Sequence, residues 1–365
     1  MRLEQIVLHR LRLPLRRPYH VSYRVYEAFE PIVVEARDAD GRTGWGEGHI
    51  SPGYSHETVD GGWAFCRKQA ARLIGRPVIE AITELERSIA ASPVASTALI
   101  TALEMLEDSP LLRIEADARI PLLTPLHGSE AAEIEDEVER RLDEGFRTFK
   151  VKVGKDADAD IARVRAVQAT IAGRATIRLD ANRGFSRADG CRFAAALDPA
   201  GIELFEQPCA ADDWEANAAV ARVSTVPVML DESIYGVADV ERAACLDGVG
   251  LIKLKLKKTG SLTRLKRGLE RIGELGMEPV LGDGVAADIG CWMEACVARH
   301  TIRNAGELNG FLKPRARLFR TPLPFAQGAL HLPAGFVPEM DRAALEAHRL
   351  AAERFAAARI VTPAV

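Results

Sequence analysis

From about residue 119 onward, short apolar runs alternate with amphipathic stretches. The runs are IPLLTPL, TFKVKVG, TIRLDAN, ELFEQPC, VPVMLDES, GLIKLKL, EPVLGDG and AGELNG. Between them lie segments such as ADIARVRAVQATIAG and SLTRLKRGLERIGELG, whose apolar residues recur with helical period. Strand–helix alternation predicts a parallel sheet, and eight strands over roughly 200 residues predict a (β/α)8-type barrel. An open doubly wound sheet is the other arrangement with this texture. No Gly-x-Gly-x-x-Gly turn follows any strand, which favours the barrel. The first 118 residues read differently. IVLHRLRLPL and PIVVEARD alternate as strands, and DADGRTGWGEG has the Asp-Gly chemistry of a hairpin turn into a third strand. From SHETVDGGWAFCRKQAARLIG to about residue 108 the pattern is helical, with Ser55 as a candidate start.

The alternation also sorts the charges. In TFKVKVG, Phe149, Val151 and Val153 share one face, and Lys150 and Lys152 share the other. Seven runs end in a charged residue: Lys152, Asp180, Glu206, Asp231, Lys255, Asp283 and Glu307, spaced 24 to 28 residues apart. That spacing is one βα unit. It places one functional group at the mouth of each successive strand, the face where barrel enzymes build their sites.

Asp180, Glu206 and Asp231 fall on neighbouring strands. Three hard oxygen donors suit Mg²⁺, and three unpaired carboxylates at one mouth would repel without a cation. A salt-bridge network is the alternative. Asn182 and Glu232 lie beside these residues and are candidates to orient them. Lys152 on the second strand and Lys255 on the sixth would face each other across an eight-stranded mouth. Lys150 adds a like charge that favours a neutral Lys152, which would let Lys152 act as a base. An ion-pair ladder between strands is the structural alternative. Metal plus opposed lysines implies removal of the α-proton of a carboxylate substrate to give an enediolate. Return of the proton from the opposite side inverts the centre, and loss of a β-leaving group eliminates.

Composition adjusts this picture only slightly. A formal net charge of −4 with no basic stripe argues against nucleic acid as the main partner. No apolar run is long enough to span a membrane or to act as a signal peptide. Six cysteines without a Cys-x-x-Cys pair read as reduced thiols, so a cytoplasmic protein is expected.

The motifs FKVKVG, RLDANRGF, LFEQP, MLDES, LKLKKTGS and ELNGFL, in this order, resemble the enolase superfamily, within it the muconate lactonizing enzyme subgroup. WGEGHISPGYSHET is similar to the capping segment of that family. The resemblance implies a modified (β/α)7β TIM barrel over 119–327. It also implies an α+β capping domain over 1–118, completed by a C-terminal tail over 328–365. It implies Mg²⁺ on Asp180, Glu206 and Asp231, acid/base roles for Lys152 and Lys255 beside Lys150, and by family habit a homo-oligomer. Lys255, five before Gly260, matches the family spacing; Lys253 is the same-face alternative, and Lys257 falls beyond the strand. The mandelate racemase branch, with a histidine ending the seventh strand, resembles the chain less, since Asp283 stands there and His300 lies a helix away.

The seventh strand departs from the subgroup. It reads LGDGVAADIGCW, where the family's epimerases and cycloisomerases carry a small residue, then Met, then Glu. Asp283 stands there, and no carboxylate follows until Asp288. In such enzymes the cap loops select the substrate, a small-molecule carboxylate. Here those are residues 18–30 and 49–56, with Tyr19, Tyr23, Tyr26 and Tyr54 as an aromatic lid and Arg24 for a second anionic group. Asp283 and Glu307 are candidates to receive a substrate cation such as an amine, and His127 is a candidate substrate contact.

Overall fold

The computed structural model describes residues 1–21 and 24–357. Tyr23 lies outside the described residues. The chain begins with five strands: β1 (Leu3–Leu11), β2 (Leu13–Val21), β3 (Arg24–Phe29), β4 (Ile32–Asp38) and β5 (Thr43–Gly48). Three helices follow, α1 (Val59–Leu73), α2 (Val78–Glu86) and α3 (Pro93–Leu106). The β4–β5 hairpin turns where the Asp-Gly pair predicted it: Gly41 has φ +83°, and the Asp38 carboxylate accepts from the N–H groups of Asp40 and Arg42. Two expectations change. Residues 18–30, read as a loop, belong mostly to the β2–β3 hairpin. The first helix starts later than Ser55: Thr58 is its cap, with Oγ1 accepting from the N–H of Gly61 at 3.1 Å.

Strand β5 reads TGWGEG, and its glycines have a steric cause. Cβ atoms at Gly44, Gly46 and Gly48 would lie 2.0, 2.1 and 2.3 Å from carbonyl oxygens of α3. The strand therefore rests directly on the helix, and the alternate residues Trp45 and Glu47 face away from it.

Residues from 118 carry β6 (Ala118–Pro121), β7 (Thr124–Leu126), α4 (Ala131–Asp143), β8 (Thr148–Lys152), α5 (Ala157–Ile171), β9 (Thr176–Asp180), α6 (Arg187–Ala195), β10 (Ile202–Glu206), α7 (Trp214–Val223), β11 (Val228–Leu230), α8 (Val237–Ala243), β12 (Val249–Leu254), α9 (Leu256–Thr259), α10 (Leu262–Glu274), β13 (Glu278–Leu281) and α11 (Asp288–Thr301). Strands β7 to β13 pair in parallel, in chain order, as one curled seven-stranded sheet. At its edges Gly306 and Glu307 hydrogen-bond to both sides. The N–H of Gly306 donates to Pro121, its carbonyl accepts from Leu123, and the N–H of Glu307 donates to Leu281. The last elements are β14 (Phe325–Ala326), β15 (Ala329–Leu332), α12 (Arg342–Ala347) and β16 (Arg349–Ala356). Strand β16 returns to pair antiparallel with β1.

The sheet's outer face carries the apolar half of each strand, such as Phe149, Val151, Leu179 and Phe205, packed against helices. The inner face is layered. Leu204, Met229, Leu251 and Val280 form a separate apolar cluster, one residue from each of four adjacent strands. Two residues further along, the same alternation brings Glu206, Asp231 and Lys253 inward.

Candidate active site

Strand period and strand order together assemble the site at the C-terminal ends of β8 to β13. One cavity there is lined by five lysines and five carboxylates, with Tyr19, Tyr54 and Asn182. Its open volume is about 40 Å³, room for only a water or two. It is tight because the ammonium groups lie against the carboxylates. Two roomier grooves lie among the outer helices and loops, and neither is lined by a lysine.

Lys150, 2% exposed, pairs with Asp180 (2.8 Å), Glu206 (2.9 Å) and Glu307 (2.8 Å). Burial works against its charge, yet the three carboxylates hold its pKa well above the ordinary value. Lys253 contacts Glu206 at 3.2 Å and pairs with Glu307. Lys152 donates to Asp180 and, at 2.6 Å, to the amide oxygen of Asn182. Lys255 donates to Asp231 at 2.7 Å and to the Tyr54 hydroxyl at 2.8 Å. Lys258 holds the far side of Asp231 at 2.8 Å. Burial raises the Asp180 and Asp231 carboxyls, but these lysines outweigh it. They bring Asp180 to about 2 and Asp231 well below its ordinary range. Glu206 moves the other way, raised by burial and by Asp180.

The three carboxylates are therefore not unpaired, as the sequence argument took them to be: lysines meet each of them, and two of those, Lys253 and Lys258, had no part in that argument. As placed, no group of three His, Cys, Asp or Glu side chains among the described residues closes on one point. The donor set itself is all carboxylate oxygen from three adjacent strand ends, and it fits a hard cation. One further observation points the same way. Glu232 is 1% exposed, and its Oε2 has no hydrogen-bond partner among the described residues. Burial and the Asp231 and Asp180 charges push its carboxyl up to about 7. Asn182 ties this corner together: its N–H donates to Asp180 at 2.8 Å and its amide to Glu232 at 3.2 Å.

Asp283 and Glu307 reach the cavity, where both are already ion-paired. Asp283 pairs with Lys257 at 2.7 Å, and Glu307 with Lys150 and Lys253. Tyr19 lines the wall, its hydroxyl pKa raised by burial and by Glu307; the Lys313 ammonium lies 4.4 Å from its ring centre. Tyr54 comes down from the loop after β5 and meets Lys255 and Asp231. Tyr26 is buried beside Phe29 and His49, and Arg24 stacks on it at 4.4 Å; neither lines the cavity. His127 is exposed and away from it.

Sequence reasoning missed the side chains that position the strand ends. Gln207, with φ +37°, accepts through Oε1 from the N–H groups of Asp231 (3.0 Å) and Ser233 (3.1 Å). Glu47 of β5 caps α11, accepting from Ala287 and from Gly290 (3.0 Å), and Glu104 of α3 caps α10 through Leu262 (2.8 Å). Two helices of the parallel sheet are thus capped from the N-terminal unit. The late acid Asp288 turns away, accepting from the N–H of Leu318 at 3.0 Å.

Comparison with known proteins matches this architecture. The profile of the family described as enolase C-terminal domain-like covers residues 133–338. The chain is 30% identical over 309 residues to an o-succinylbenzoate synthase of Geobacillus kaustophilus, covering 79% of each. It is 30% identical over 278 residues to an L-Lys-D/L-Arg epimerase of Methylococcus capsulatus, covering 73% of this chain and 78% of the epimerase. Among solved structures, the muconate lactonizing enzyme of Pseudomonas fluorescens complexed with muconolactone superposes with a TM-score of 0.87 at 25% identity, over 95% of this chain and 99% of that one. With the profile spanning more than half its length, this chain is an enzyme of the enolase superfamily, in its muconate lactonizing enzyme subgroup.

Proposed function

We propose that this enzyme is a Mg²⁺-dependent isomerase that racemises, epimerises or cycloisomerises a small carboxylate substrate by abstracting its α-proton. The observation that carries the reading is the placement of Lys152 and Lys255. They stand on β8 and just past β12, four strands apart, line one cavity, and are each hydrogen-bonded to a carboxylate of the cluster between them. Asp180, Glu206 and Asp231 would hold Mg²⁺, which when bound stabilises negative charge developing on the substrate carboxylate. Lys152 takes or returns the proton on one face of the substrate, and Lys255 serves the other. Lys150 stays a fixed positive charge beside them. Tyr54 orients the Lys255 ammonium, and Tyr19 and Tyr54 close the mouth against water. Gly306 and Glu307, bonded to both edges of the sheet, support its closure as a modified (β/α)7β barrel. The pairing of β16 with β1 supports a cap made of residues 1–118 and the tail.

The likeness to an o-succinylbenzoate synthase supports a second reading, β-elimination after the same proton abstraction. One experiment separates them: incubation in D₂O with Mg²⁺ and a panel of dipeptides, N-acyl amino acids, proline betaines and muconates. Isomerisation puts deuterium at Cα of recovered substrate. Elimination gives a product with a new double bond. Lys152→Ala and Lys255→Ala should each abolish exchange from one enantiomer. Retention of both exchanges in either variant overturns the assignment.

A further inference from the structure

We infer that Glu294 is a positioning residue that sets the place of the Lys255 ammonium by stapling the ends of β12 and β13; this rests on the reading of Lys255 as an acid/base group. The β12–β13 ladder ends at the pair Leu254 and Leu281, and its last backbone bond runs from the N–H of Gly282 to Leu254 at 3.2 Å. Beyond that rung the chains diverge, β12 into the one-turn helix α9 and β13 through Gly282, whose φ is +139°.

The next two inward N–H groups, those of Leu256 and Asp283, both donate to Glu294. Its Oε1 accepts from Leu256 at 2.8 Å and its Oε2 from Asp283 at 3.1 Å. One carboxylate thus supplies the missing rung. Leu256 directly follows Lys255, and Asp283 is the ion-pair partner of Lys257. The rung fixes the backbone from which both cavity lysines project.

Glu294 is 1% exposed, sits in a helix buried from Asp288 to Ala298, and makes no ion pair within 4.0 Å among the described residues. A buried carboxylate held by two backbone donors and no cation is a poor way to stabilise a core. It is a good way to fix two chain segments that no backbone ladder joins.

Glu294→Gln keeps the shape and offers one acceptor where two are needed. Three readouts decide. Amide hydrogen exchange should speed up at least tenfold at Leu256 and Asp283 while the β8–β9 amides stay protected. Acetylation by a neutral amine reagent, followed by mass spectrometry, should rise at least threefold at Lys255 and stay unchanged at Lys152. α-Proton exchange should fall 10- to 100-fold for the enantiomer that Lys255→Ala disables, and stay within twofold for the other. Equal loss for both enantiomers, or unchanged amide exchange and labelling, overturns the proposal. If the wild type exchanges no substrate proton, the isomerase reading fails, and amide exchange and labelling still decide the staple. Should Glu294→Gln not fold, Glu294→Asp, which keeps the charge but shortens the reach, gives the same three readouts.

Discussion

Lys150 bridges three buried carboxylates, and removing its charge should be felt by the whole molecule. In Lys150→Met the stem keeps its volume and the ammonium is lost. Asp180, Glu206 and Glu307, all within 2.9 Å of that nitrogen, then share a 2%-exposed site without their common counterion. Breaking a buried pair by removing one partner costs about 3–5 kcal/mol, because an uncompensated charge stays behind. At about 2.1 cal/mol/K of unfolding entropy per residue, a chain of 365 residues loses about 4–7 °C of melting temperature for that amount. The assay is thermal unfolding by circular dichroism in EDTA at pH 7. Lys266→Ala serves as control, since its pair with Glu270 is 34% and 48% exposed and should shift the melt by less than about 1 °C. Adding Glu307→Gln to Lys150→Met should recover part of the loss, because one of the stranded charges is gone. A melt for Lys150→Met within 1 °C of wild type would refute the picture of Lys150 as the central counterion.

Four other outcomes follow from the same structure. Mg²⁺ at a hundredfold excess over its dissociation constant should stabilise the wild type by about 2.7 kcal/mol, and Asp180→Asn should abolish the shift in a melt with and without EDTA. Tyr54→Phe, which removes the hydroxyl between Lys255 and Asp231, should lower kcat/KM about 10- to 100-fold with the fold intact, read in the α-proton exchange assay. Gly46→Ala places a Cβ 2.1 Å from the carbonyl of Ala98, so soluble yield and melting temperature should both fall, whereas Gly41→Ala meets no atom within 4 Å and is strained only by its φ of +83°. Glu35 is raised by burial but brought to about 2 by His9 and Arg342. Its stabilising effect should be complete above about pH 4.5 and lost as pH falls through about 2, so the melts of wild type and Glu35→Gln should converge over that range.

The fold was legible wherever one period ran undisturbed. The seven parallel strands announce themselves as short apolar runs separated by helices. Their charged ends keep a βα period because each closes one strand; Glu206 and Asp231 sit one inward step past the apolar Leu204 and Met229, whereas Lys152, Asp180 and Lys255 follow the charged Lys150, Arg178 and Lys253 at the same step. The β2–β3 hairpin was not legible. LPLRRPYHV carries two prolines and an arginine pair, and the register slips between Pro14 and Tyr19, so no alternation survives across it. Helix α1 was placed early because Ser55 and Thr58 both offer cap chemistry and Glu57 lies between them. Glu57 itself is used elsewhere, accepting from Ser92 at 2.6 Å at the start of α3.

At the site, the strand-end residues that the period singles out line one cavity, while the lysine contacts that balance their charge were not legible, for a reason that lies in geometry. Period two carries Lys253 and Lys255 inward together, so Lys253 was visible as a neighbour. Its reach across the mouth to Glu206 and Glu307 depends on sheet curvature, which no local pattern encodes. Lys258 escapes the period altogether: the strand ends at Leu254, α9 turns through 100° per residue, and the third residue of that turn swings back onto Asp231. Glu294 did leave a signal. In IGCWMEACVA a lone carboxylate interrupts a helix with no polar face, and an acid there must find donors inside the molecule. Buried acids on apolar helices are thus the readable trace of contacts that strand periodicity cannot predict. Glu104, on the equally buried α3, follows the same rule, and its donors are the first N–H groups of α10.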